Sequence, residues 1–352
     1  MMVTPNPLLG TVLHSVGAAS AALCYTPQKK VRDWSWQTYW LVQAAFCWLI
    51  LPVLGAWVTI PELRQVLAEA PRDAMLRSFL LGAAYGVGGT AFGLAIRYIG
   101  FSLTYALAVG VSCVLGTLAG PLVAGQIGAI AAKPGGGIVL AGVAAGAAGI
   151  FLVGLAGRMK EKNLAAGGPA AGEFQFGKGL ALCLLAGVLS AVYGFSLQAG
   201  QPVADVAAAH GAGEFQGNVI YIFSNTGAFL TTAVYCLYLH VRNGTAGELV
   251  RSAAGAPATR LGLNWALAIL TGGLWYGQFF FYGLGHTRMG SFAFSSWAIH
   301  MTLLVLTSAL VGMVLREWQG CRPRTKLMLA VALTVLVGAV GTLTWGNYLG
   351  SA

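Results

Sequence analysis

Charge is what this 352-residue chain has least of, with Asp, Glu, Lys and Arg together making up 9% of it. All ten Asp and Glu fall outside its long apolar runs, and no Lys or Arg lies mid-run. A soluble globular fold is excluded, because 57% hydrophobic residues carry more apolar surface than one core can hide. The missing charges also exclude ligand types. A carboxylate solute wants a buried cation and a hydrophobic cation wants a membrane acid, and the runs offer neither. Six cysteines without a CxxC pair, five of them (24, 47, 113, 183 and 236) inside runs and only Cys321 outside, predict buried thiols with no metal or disulfide role. There is no nucleotide loop and no metal-spaced His/Asp cluster, so neither catalysis nor a cofactor or metal is expected. A basic n-region is absent as well. Lys29 and Lys30 follow the first apolar run, which predicts an uncleaved first helix despite Ala19-Ser20-Ala21.

What the chain does have is length in its apolar runs. About 20 apolar residues cross a hydrocarbon core of about 30 Å, and ten segments qualify: Leu8–Thr26, Trp36–Ile60, Phe79–Ile96, Phe101–Ala124, Gly135–Gly157, Gly179–Gly200, Gly217–Leu239, Leu261–Gly285, Ser291–Leu315 and Leu327–Leu349. The expected fold class is an all-α polytopic membrane protein, whose partner is the lipid bilayer. A net charge of +10 would suggest nucleic acid in a soluble protein, but here the basic residues report topology. Alternate loops hold Lys29, Lys30, Arg32, Arg97, Arg158, Lys160, Lys162, Lys178, Arg242, Arg251, Arg260, Arg316, Arg322, Arg324 and Lys326, fifteen of the twenty. The other side holds Arg64, Arg72, Arg77, Lys133 and Arg288. The positive-inside rule makes the richer side cytoplasmic and both termini periplasmic; no nucleic-acid partner is expected.

The most polar internal segment, RMKEKNLAAGGPAAG from Arg158, lies near the midpoint. It divides an N-terminal five-helix unit (1–157) and a cytoplasmic linker (158–178) from a C-terminal five-helix unit (179–352). Gly17, Ser20, Ala21 and Gln28 return 170 residues later as Gly187, Ser190, Ala191 and Gln198. Gly82, Tyr85, Gly86 and Arg97 return 191 residues later as Gly273, Tyr276, Gly277 and Arg288. Five crossings invert a second copy, giving the inverted 5+5 repeat of secondary transporters, which bind substrate near the midplane between the halves. Small-xxx-small spacings at Gly82/Gly86, Gly89/Gly93, Gly142/Gly146 and Gly273/Gly277 read first as close helix packing.

Polar groups within the spans recur at helical spacing: His14, Ala18, Ala21, Tyr25 and Gln28; Asn218, Tyr221, Asn225 and Thr232; Trp275, Gln278, Tyr282 and His286; Trp297, His300, Leu304 and Thr307. Each stripe keeps one face, so together they predict a lined cavity. Amides that donate and accept, beside Trp and Tyr faces, suit a neutral polyhydroxylated solute. The stripes and the repeat make Trp275, Tyr276, Gln278, Asn225, Trp297, Tyr25 and Gln198 the candidate substrate-binding residues. Imidazole is the titratable group left inside the spans, so His300, then His14 and His286, are the proton-coupling candidates. Asp205, Glu214 and Glu317 at the membrane edges stand in reserve.

Three blocks, GAASAALCYTPQKKVRDWSWQTYW from Gly17, GGLWYGQFFFYGLGHTR from Gly272, and SWAIHMTLLVL from Ser296 followed by LREW, resemble the L-rhamnose-proton symporter family of the drug/metabolite transporter superfamily. The resemblance covers essentially the whole chain. It implies ten helices in an inverted 5+5 arrangement in a bacterial cytoplasmic (inner) membrane, taking up a neutral 6-deoxyhexose, L-rhamnose or a related sugar, with protons. An exporter or antiporter of a sugar-like metabolite would share that fold. The family pattern matches His14, Lys29, Lys30, Trp34, Trp36, Trp275, Tyr276, Gln278, His286, Trp297, His300 and Glu317. It departs before Trp297, where enterobacterial members carry an Asp in a Gln-Tyr-Asp context and Ser291–Ser296 (SFAFSS) holds no acid.

Overall fold

The computed structural model describes residues 4–24, 26–99, 101–165, 176–252, 257 and 259–351. Among them every regular element is helical: α1 Pro7–Leu23, α2 Trp36–Ala44, α3 Leu51–Thr59, α4 Leu63–Glu69, α5 Arg72–Ile99, α6 Phe101–Val123, α7 Ile127–Ala132, α8 Gly136–Ala165, α9 Phe176–Ala199, α10 Gln201–Ala209, α11 Asn218–Asn243, α12 Thr259–His286, α13 Ser296–Val314 and α14 Pro323–Ser351. Nine helical segments among the described residues are long and apolar enough to cross a bilayer. Val58, Val123, Val241 and Val314 are at least 80% exposed and Phe151, midway along α8, is 61% exposed. Aliphatic and aromatic side chains so placed on long apolar helices face lipid, and the protein is a polytopic membrane protein. The predicted span Leu261–Gly285 coincides with α12, 28 residues long but outside the nine. Asn264, Thr271 and Gln278 interrupt its apolar run, so no stretch of it is as apolar as those of the nine.

Several boundaries differ from the sequence reading. α8 continues through Arg158, Lys160 and Lys162 to Ala165, so the expected linker begins as helix; residues 166–175 lie outside the described residues. Its 30 residues are about 45 Å long, beyond the apolar thickness, and its basic end sits where the helix dipole favours cations. Lys160, expected in a loop, is buried on α8 with Glu317, their charged groups 3.2 Å apart. Asp73 and Asp205, also expected in loops, lie in the first turn of α5 and in the short α10.

The chain forms two compact units, each drawing on both sequence halves. Among the described residues the first comprises those of 23–87 and 195–283. In it α11 packs on α2 and α3, and α10 on α4. Gly82 of α5 lies against the Ser224 backbone of α11 so closely that a Cβ would overlap its carbonyl, the close packing that the small-residue spacing predicts. Gly273 meets nothing nearby, so that reading fails there. The second unit comprises residues 3–22, 88–194 and 284–352. Here α14 lies along α8 and α6 packs on α8 and α13. A Cβ on Gly142 would stand 2.7 Å from the Leu343 side chain.

Among the described residues three non-glycine residues take positive φ, Asp33 (62°), Glu62 (50°) and Arg316 (59°), a conformation that costs about 1 kcal/mol. Each adjoins an ion pair. Asp33 accepts from Arg260 at 2.7 Å, Glu62 meets His210 at 2.8 Å, and Arg316 precedes the Glu317 that meets Lys160.

Candidate functional site

The polar stripes predicted from spacing are buried faces. Asn218, Tyr221, Asn225 and Thr232 on α11 are at most 3% exposed, Trp275, Gln278 and Tyr282 on α12 at most 9%, and Trp297, His300 and Leu304 on α13 at most 6%. Residues three and four apart stack on one side of a helix, so one seam buries these members together, while His286 and Thr307 at the stripe ends are half-buried.

In the first unit Trp275 is held by two tryptophans that the stripes did not include. Its ring stands edge-on to Trp40 at 5.9 Å and to Trp48 at 5.3 Å; Trp36 stacks on Trp40 at 5.1 Å, and Tyr85 is edge-on to Trp48 at 5.8 Å. A local backbone defect sets this arrangement. Pro52 has no N–H and its ring would strike the carbonyl four residues back, and between α2 and α3 the chain widens into a π-helical segment, Ala45–Ile50, in which Leu51 N–H donates to Phe46 O. In an unbroken α-helix Trp48 would sit about 80° round from Trp40. The wider turn removes much of that offset and lets both rings meet Trp275.

Nearby, the Tyr221 hydroxyl donates to Phe279 O at 2.7 Å, and Asn225 is fully buried. Tyr276 packs its hydroxyl on Gly55, where a side chain would collide with it. Of the other predicted substrate residues, Gln198 is exposed and Tyr25 lies outside the described residues.

The second unit brings the three predicted proton-coupling histidines together. His14 of α1 and His300 of α13 stand 5.9 Å apart, ring centre to ring centre, at 66°. A Cβ on Gly285 would lie 2.9 Å from His14 Nε2, so only glycine lets α12 approach this imidazole. His286 Nδ1 is 3.1 Å from Ser296 Oγ, at the start of α13. His14 and His300 are at most 2% exposed.

Trp297 belongs to this unit and not with Trp275. Its indole N–H donates to Ser112 O at 3.1 Å and to Ser112 Oγ at 3.2 Å, and a Cβ on Gly116 would reach its Nε1 at 2.5 Å. The structure thus separates the sequence-predicted groups. Trp275, Tyr276, Gln278, Asn225 and Gln198 fall in the first unit, and the three imidazoles with Trp297 in the second. Trp40 had a signal, its i, i+4 spacing from Trp36; Trp48 had none, because the π turn breaks the helical period.

A family model described as L-rhamnose-proton symport protein matches residues 4–347. The chain belongs to the L-rhamnose-proton symport protein family. Among curated members, L-rhamnose-proton symporters of Mannheimia succiniciproducens and Pectobacterium atrosepticum are each 34% identical over 345 residues, covering 97% of this chain and 98% of theirs. That of Cronobacter sakazakii is 35% identical over 341 residues, 96% of this chain and 97% of its own. Every candidate residue lies inside the symport family's matched region. So do Glu317, which the sequence reading placed at the membrane edge, and Lys160, which it placed in the linker. Lys160 Nζ also lies 4.8 Å over the Trp318 ring, a cation–π contact that shields a buried charge.

Proposed function

We propose that this protein takes up L-rhamnose, or a closely related neutral 6-deoxyhexose, together with a proton across a bacterial cytoplasmic membrane. The carrying observation is the near full-length match to the L-rhamnose-proton symport family, joined to the two chemistries in its units. The sugar binds in the first unit, its C–H face on Trp275 and its hydroxyls on Gln278, Asn225 and Tyr276, because an apolar ring plus paired donors and acceptors matches a hydroxylated ring. The proton rides on the histidines of the second unit, with His300 as the carrier and His14 and His286 beside it. Two imidazolium charges 5.9 Å apart would repel by about 3 kcal/mol at an effective dielectric of about 20, which favours one proton at a time. α12 contributes to both, carrying Trp275 and Gln278 and, two turns after Gln278, His286.

The arrangement that fits this reading has α12 as the tenth span, a five-plus-five inverted repeat, a cytoplasmic 158–178 segment and periplasmic termini, as the distribution of Lys and Arg supports. One proton moving down about 100 mV releases about 2.3 kcal/mol, and one pH unit adds about 1.4. Roughly several-hundred-fold accumulation follows. The test is labelled L-rhamnose uptake in right-side-out vesicles. Accumulation that collapses on adding a protonophore is expected; uptake that equilibrates without accumulating, or ignores the protonophore, overturns the coupling.

A further inference from the structure

α2 carries a buried amide, Gln43, that neither the stripes nor the family pattern includes. Gln43 is fully buried, and among the described residues neither its amide nitrogen nor its amide oxygen has a hydrogen-bond partner. Its neighbourhood is well fixed. Gly272 of α12 lies against this turn of α2, where a Cβ would be 2.7 Å from Phe46 Cβ and 2.9 Å from Gln43 O. Three residues on from Gly272, the same face of α12 presents Trp275 to Trp40 and Trp48, the residues three before and five after Gln43. Gln43 is therefore bracketed along α2 by the two rings that hold Trp275.

Two further polar atoms of this cluster lack partners among the described residues, Trp48 Nε1 and the Tyr276 hydroxyl. By contrast the neighbouring Tyr39 hydroxyl, one turn before Gln43, donates to Thr271 Oγ1 at 2.5 Å. A buried amide that the chain leaves unbonded is expensive, and most buried polar groups are bonded. What would repay it is a ligand that can accept from the NH2 and donate to the oxygen at once. A vicinal diol does both; a simple ion satisfies at most one of the two and an apolar solute neither.

We propose that Gln43 is a specificity-determining residue of the sugar site, its amide bonding hydroxyls of a sugar whose C–H face lies on Trp275. The inference rests on the placement of the sugar in the first unit proposed above. It commits the site to the α2 side of α12, at the π turn, a place where such local defects commonly serve function.

A buried, unbonded amide and a bonded one respond oppositely to an apolar replacement of similar size. Gln43→Leu removes an unsatisfied group, so the sugar-free protein should be as stable as the wild type or more so. Its affinity for L-rhamnose should fall about 5- to 150-fold, the effect of losing one buried partner. The experiment is ligand-dependent thermal unfolding of the purified full chain with L-rhamnose and with its 2-, 3- and 4-deoxy analogues. In the wild type at least one deoxy analogue should bind more weakly, and in Gln43→Leu that penalty should vanish, since the hydroxyl has lost its partner. Should Gln43→Leu not fold, Gln43→Met, unbranched and of similar length, carries the same comparison. Equal L-rhamnose affinity in wild type and variant, or deoxy penalties that persist unchanged, overturns the role of Gln43. Trp275→Ala separates the two levels. If it abolishes binding while the Gln43 variants bind normally, the sugar site stands without Gln43. If neither Trp275→Ala nor a Gln43 variant alters binding, the site itself has been misplaced and both readings fall.

Discussion

At the residue scale the proposed coupling turns on His300. It is 2% exposed and stands edge-on to His14, on a span with no carboxylate. A glutamine there keeps a hydrogen-bonding amide and loses the titratable ring. His300→Gln should therefore fail to accumulate sugar yet retain counterflow, which exchanges sugar without net proton movement. The two assays on this variant, run from about pH 5.5 to 8 to bracket the imidazole pKa, decide the matter. Uphill transport with a normal pH profile would pass the role to His14 and then to Glu317. The same scale shows why Trp297 differs from Trp275. The indole N–H of Trp297 is already bonded to Ser112, so a part of what it could offer a sugar is spent on packing α13 against α6.

At the scale of elements, short helices outside the spans are tied by charge. His210, just past α10, has Glu62 Oε2 2.8 Å from Nδ1 and Glu69 Oε2 2.9 Å from Nε2. Both carboxylates flank α4, so one side chain links two helices that also share an apolar contact through Leu63, Val66, Val203 and Ala207. Hydrogen bonds that its ring N–H groups donate to Glu69 and then to Glu62 raise its pKa above 6.5. The protonated ring is bound more tightly folded than unfolded. Its stabilisation is complete below about pH 6.5, the ordinary histidine value, and is lost as pH rises through the raised folded value. His210→Gln should thus unfold at a lower temperature than the wild type at about pH 6, and the gap should close towards about pH 9, both read from thermal unfolding in detergent. A gap that is constant with pH, or absent at the acidic end, refutes the clamp. The π turn of Ala45–Ile50 is the other element-scale device, where a proline converts a backbone conflict into the alignment of two tryptophans.

For the whole molecule, the proposed orientation rests on where the basic residues lie. A periplasmic reporter fused after Ala352 should be active, and one inserted between Lys162 and Lys178 should be inactive. The reverse pattern would mean an odd number of crossings or the opposite orientation, and the proposed inward flow of protons would need redrawing. How α12 behaves carries that count, because it is as long as its neighbours but less apolar than the nine segments.

Much of this was legible in the sequence, for a physical reason. Spans are set by a local balance, the transfer of about 20 consecutive residues into lipid, and helical faces by a period that any stretch carries in itself. Hence the helical class, most span positions and the burial of the stripes at Asn225, Gln278 and His300 needed no knowledge of neighbours. The partners of those faces depended on distant segments meeting. Only the folded chain placed His14, His286 and His300 in one cluster, set Trp40 and Trp48 against Trp275 through a π turn that no periodicity reveals, and buried Lys160 against Glu317. Periodicity says which side of a helix is hidden; which helix hides it is decided by complementary side chains far apart in the chain, Gly285 against His14 being the plainest case.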